Sequence, residues 1–156
     1  MNIKKVFHYA SYLQYPLLLV AIFFAFSPYF IGIENFQENP DIIFQGANSS
    51  LIFMGLAIGF SSLQDTTKTQ HKLSKKLWES PKRGKIFLAL ISFFILLFLV
   101  SGLIGYFTSE VNFLKEISIG IMVLGLGMFA ILKAGVEMFE NHRIDKKTKS
   151  IDVKRK

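Results

Sequence analysis

The sequence has no cysteine. This excludes a disulfide, a thiolate metal site, a thiol nucleophile and thiol-based redox chemistry. Its three histidines, His8, His71 and His142, lie at or outside the ends of the apolar stretches, so none is placed to hold a haem within a membrane. No grouping of His, Asp and Glu has metal-ligand spacing, and no glycine-rich loop with a following lysine suggests a phosphate cradle. No cofactor and no catalytic residue are expected. Charge is sparse as well: 19% of the chain, against about 25% in a soluble domain. Between Ile86 and Phe107 there is none.

Apolar residues stand in place of charge, at 51% of the chain. They form four stretches expected to span a membrane, at about 16–33, 41–63, 86–107 and 117–138. The third is about as long as a helix must be to cross a bilayer core of roughly 30 Å. The expected fold is therefore an all-α integral membrane protein, with four transmembrane helices arranged as two antiparallel hairpins. Residues 1–15 read as a basic and aromatic lead lying at the interface, 64–85 as a basic cytoplasmic loop, and 139–156 as a basic, disordered tail. Ala25-Phe26-Ser27 resembles a signal-peptidase site, but Pro28 directly after it disfavours cleavage, so the first span is expected to be kept.

The positive charges fix an orientation. Of 18 Lys and Arg, all but Lys115 and Lys133 fall in the lead, the middle loop and the tail. The other two loops hold Lys115 beside Glu34, Glu38, Asp41, Glu110 and Glu116. Basic residues near span ends stay cytoplasmic, so both termini are expected inside, in the cytoplasmic (inner or plasma) membrane. All five tyrosines and the single tryptophan, Trp78, sit near expected interfaces, as an aromatic belt requires. The net charge of +7 then points to the anionic headgroups of the inner leaflet, contacted by the basic loop and tail, and not to nucleic acid.

Capping signals support the boundaries. Asn39, Pro40 and Asp41 can open the second span, and Ser80-Pro81 the third. Pro16 suits a first helical turn, and Pro28 should kink or end the first span. Spans two and four share a weak likeness, in which Ser50, Met54, Leu56 and Gly59 align with Ser118, Met122, Leu124 and Gly127. A duplicated hairpin in parallel orientation would produce it.

Three features can carry function. On span two, Gln45, Asn48, Ser49, Gly55, Gly59 and Ser62 recur at helical spacing on one small, polar face. Such a face either packs against another helix, with Gly55 and Gly59 allowing close approach, or lines a polar pathway. On span four, Gly120, Gly127, Ala130 and Ala134 form a second small-residue face, an obvious partner for the first. Near the inner ends, Asp65, Lys133 and Glu137 form a candidate ion-pair or relay set, since ionisable residues within a membrane mark functional sites by default. A lysine there can also reach the headgroups along its own aliphatic stem.

The short loops and missing catalytic groups favour a non-enzymatic subunit, scaffold or partner-binding component, with a membrane protein or further copies of itself as partner. A small oligomeric channel or transporter would need the span-two face to line a cavity. An enzyme acting on lipid or quinone would need a convergent acid, base or nucleophile, and the sequence offers none.

Overall fold

The computed structural model describes residues 3–31, 41–63 and 77–145. Five helices account for nearly all of them: α1 (Ile3–Ser11), α2 (Gln14–Ile31), α3 (Asp41–Ser61), α4 (Pro81–Thr108) and α5 (Asn112–His142). Among the described residues there is no strand. Four stretches are long and apolar enough to cross a membrane: Val6–Phe30, Asp41–Ser61, Pro81–Thr108 and Asn112–His142. The chain is an all-helical membrane protein.

Prolines shape the first span. Pro16 has no N–H to offer the Tyr12 carbonyl, and its ring crowds that oxygen. The helix breaks there, between α1 and α2, and the Tyr15 N–H donates to the Tyr12 carbonyl instead, at 3.1 Å. Pro28 withholds a bond from the Phe24 carbonyl in the same way, yet α2 continues to Ile31. Ser27 Oγ donates to that carbonyl at 2.8 Å, which is how membrane helices tolerate an internal proline. Gly46 of α3 packs onto the same spot, against Phe24 and Pro28.

The later helices outrun their apolar cores. Ser80 is extended and Pro81 opens α4 as expected, but the Ser80 side chain makes no capping bond. α5 starts at Asn112 and ends at His142, beyond both expected ends of span four. Hydropathy marks the hydrocarbon layer, whereas a helix continues into the headgroups wherever its residues permit. Lys115 and Glu116 lie in the early turns of α5, and Phe139 is buried near its end. Residues 146–156 of the expected tail lie outside the described residues, as do Glu34–Pro40 with the Asn39 cap, and most of the middle loop.

The helices pack in the order α2, α3, α5, α4. α2 and α3 run antiparallel, with Pro28 beside Gly46 at one end and Gln14 and Leu18 facing Ile58 and Ser61 at the other. α3 and α5 run parallel, since Asn48 meets Gly120 and Gly55 meets Gly127. α4 and α5 run antiparallel, with Gly84 on Phe139 and Gly105 on Ser118. The two outer helices, α2 and α4, share no packed interface. This is an open row, not a closed ring.

Candidate functional site

The centre of the row is the contact between α3 and α5, where the two small-residue faces meet. A Cβ on Gly55 would sit 2.6 Å from the Val123 carbonyl oxygen and 3.0 Å from Leu124 Cα. Both are backbone atoms that cannot swing aside. Gly127 is equally confined, against the backbone of Gly55. Gly120 lies under Asn48, whose backbone oxygen would be 3.0 Å from an added Cβ, and beside Leu51. Phe44 stacks on Phe113 at 4.3 Å between ring centroids, closing the same interface one end further on.

The span-two face does not act as a unit. Gly55 is buried, and Asn48, Ser49, Gly59 and Ser62 are half-buried, while Gln45 is exposed. Asn48 Oδ1 is buried without a hydrogen-bond partner, pressed toward Gly120. Gly59 differs from Gly55 completely: a Cβ there would meet nothing within 4 Å. α3 and α5 touch at Gly55, and beside Gly59, one turn on, there is open space. Ser62 Oγ donates to the Gly59 carbonyl at 2.8 Å, within its own helix. On α5, Ala130 and Ala134 are both half-buried.

Of the charged set, Lys133 and Glu137 are described and Asp65 lies outside the described residues. Lys133 Nζ is 3.9 Å from Glu137 Oε1, one turn along α5. Their side chains are 79% and 46% exposed. Among the described residues, no group of three or more His, Asp and Glu could hold a metal ion.

A second interface, between α4 and α5, was not evident from composition because span three is apolar on every side. Its buried positions are Gly84, Ile91, Ile95 and Gly102, whose seven- and four-residue spacing is the one available signal. Gly102 receives Met122, and Gly125 receives Leu99 and Phe98. Trp78 is packed within the chain, and only 5% of it is exposed. It lies edge-on to Phe87, with ring centroids 5.5 Å apart, and over Gly135, where the missing side chain makes room for the indole. The tyrosines behave differently, and all five are exposed.

Polar groups gather at this end of the α4–α5 pair. Arg143 bonds Glu140 at 2.9 Å and pairs with Asp145 at 3.2 Å, with its guanidinium 5.5 Å from the Phe139 ring centre. An open cleft of about 550 Å³ beside it is lined by Glu79, Ser80, Pro81, Arg83, Ile144 and Asp145. No protein-family model matches the chain, and neither a characterised protein nor a solved structure is significantly similar to it.

Proposed function

We propose that this protein is a four-span component of the cytoplasmic membrane that works by binding another membrane protein, not by catalysis. Its two hairpins place both termini in the cytoplasm, where the basic loop and tail meet anionic headgroups. The observation that carries the reading is the open row. Gly55 of one small-residue face and Gly120 and Gly127 of the other are packed against the opposite helix inside one chain. The outer helices α2 and α4 are left with large apolar side chains on their surfaces, including Leu19, Phe23, Phe93 and Leu96. Such surfaces suit lipid and the helices of a partner. The channel alternative is less favoured, because Gly55 of its proposed lining abuts the α5 backbone.

Purification of the tagged, full-length chain from its native membrane tests this. A second membrane protein is expected to co-purify in fixed stoichiometry. Recovery of this chain with no other polypeptide, together with ion flux when it alone is placed in liposomes, would move the function to transport.

A further inference from the structure

A groove of about 390 Å³ between α2 and α3 is lined by Gln14, Tyr15, Leu18, Ala57, Ile58 and Ser61. It lies beside the break at Pro16, at the Ser61 end of α3. Gln14 falls within the apolar stretch Val6–Phe30. The antiparallel register that sets Pro28 beside Gly46 also brings Gln14 level with Ser61 and Leu18 level with Ala57, to about a residue. The groove therefore changes character along its length. Its polar members stand at the outer end, and Leu18, Ala57 and Ile58 lie up to a turn, about 6 Å, further into the helix pair.

The polar end has bonding capacity to spare. Among the described residues, neither the Gln14 side-chain amide nor the Tyr15 hydroxyl makes a hydrogen bond. Ser61 Oγ donates to the Ile58 carbonyl at 2.7 Å, which leaves its lone pairs to accept. The groove thus offers an amide donor and acceptor, a phenol donor and a hydroxyl acceptor, and no charged side chain lines it. The Tyr15 ring, stacked on Tyr12 with centroids 6.2 Å apart, adds a flat aromatic face. Polar groups left without partners in an apolar medium cost free energy, and a ligand that bonds them recovers it.

We propose that this groove binds a lipid-soluble quinone, with its ring at the polar end and its tail along Leu18, Ala57 and Ile58. Charge, size and donor pattern select this ligand. A phosphate or carboxylate headgroup calls for a cation, and the lining has none. The volume is at the small end of the range for ligand sites, enough for one ring and the start of a single tail and too little for the two chains of a phospholipid. The Gln14 N–H and Tyr15 O–H donors match the two carbonyl oxygens of a quinone. The Gln14 and Ser61 oxygens accept from the hydroxyls of its reduced form, so both forms are held. This goes beyond the partner-binding reading and does not rest on it, because a ligand between α2 and α3 leaves α4 free to contact another protein.

The test uses the full-length chain in phospholipid nanodiscs and a one-isoprene ubiquinone as probe. Binding, measured against empty nanodiscs to remove simple partitioning, is expected to saturate. An azido derivative of the same quinone should label peptides covering residues 14–18 and 57–61. Gln14→Leu and Tyr15→Phe should each weaken binding about three- to tenfold, the loss of one net hydrogen bond. Ala57→Leu, which fills the groove from a side chain only 5% exposed, should abolish it, and Leu96→Ala on the outer surface of α4 should leave it unchanged. Far-ultraviolet circular dichroism checks that each variant is folded; Tyr15→Phe removes one oxygen only and keeps the test valid should Ala57→Leu fail to fold. No saturable binding above empty nanodiscs, labelling elsewhere in the chain, or wild-type affinity in both Gln14→Leu and Tyr15→Phe would overturn the site. Displacement of the quinone by an equal concentration of monoolein would make the groove a general site for single-chain lipids and overturn the quinone assignment. Absence of quinone binding with a native protein still co-purifying refutes this inference alone. Quinone binding with no co-purifying protein refutes only the partner-binding function.

Discussion

Gly55 and Gly59 occupy the same face of the same helix, one turn apart, and alanine at the two positions should act in opposite directions. At Gly55 the new methyl would meet the Val123 carbonyl oxygen at 2.6 Å, so α3 and α5 must separate by about 0.8 Å to reach ordinary contact. A gap of that size forfeits roughly a quarter to a half of the dispersion energy of each contact pair it opens, and overpacking of this kind costs about 1–3 kcal/mol. Alanine also favours the helix by about 1 kcal/mol relative to glycine. At Gly59 there is nothing for the methyl to strike, so only that gain remains. The propensity term is common to both variants and cancels in their difference. Gly55→Ala should therefore be less stable than Gly59→Ala by about 1–3 kcal/mol, with Gly59→Ala at or above the wild type. Equilibrium unfolding in mixed micelles, followed by far-ultraviolet circular dichroism and by the fluorescence of the single tryptophan, measures both. Equal destabilisation by the two substitutions would refute the close contact at Gly55 and the open space at Gly59.

Three further substitutions probe the rest of the framework. Trp78→Ala should cost about 3–5 kcal/mol in the same unfolding assay, as expected for a fully buried large side chain; a surface belt residue would cost far less. Gly46→Ala would place a methyl 3.0 Å from both the Phe24 carbonyl oxygen and Pro28 Cγ, so crowding of about 1 kcal/mol and the helix gain of about 1 kcal/mol should nearly cancel, giving a smaller effect than Gly55→Ala. Ser27→Ala removes the donor that serves the Phe24 carbonyl; hydrogen bonds within membrane proteins average about 0.6 kcal/mol, so a small loss is expected. A stable Trp78→Ala variant would be the most damaging of these results.

Hydropathy and charge located the helices because both are properties of single positions. Ile86 to Phe107 must be buried in something apolar whichever helix lies beside it. The order of the helices depends on which faces touch, and that was only partly legible. The faces of spans two and four stood out as small residues among large ones, and Gly55, Gly120 and Gly127 do meet at one contact. The same pattern gave no reason to separate Gly55 from Gly59, because residues sharing a face need not share a neighbour once two helices cross at an angle. The α4 face stayed hidden because Gly102 and Gly105 are small residues on a helix apolar all round. The packing of Trp78 stayed hidden for a related reason: the gap over Gly135 that receives its indole lies far away in the chain. The aligned glycines of spans two and four have different surroundings: Gly127 is closely packed and Gly59 is open.

Orientation in the membrane is tested most directly by single cysteines placed in the cysteine-free chain, probed in intact cells with a maleimide that cannot cross the membrane. Asn35→Cys should be labelled from outside. Ser74→Cys and Ser150→Cys should be labelled only after the membrane is opened. Labelling of the latter two in intact cells, with Asn35→Cys protected, would contradict the inward-facing termini and the charge asymmetry from which they were inferred.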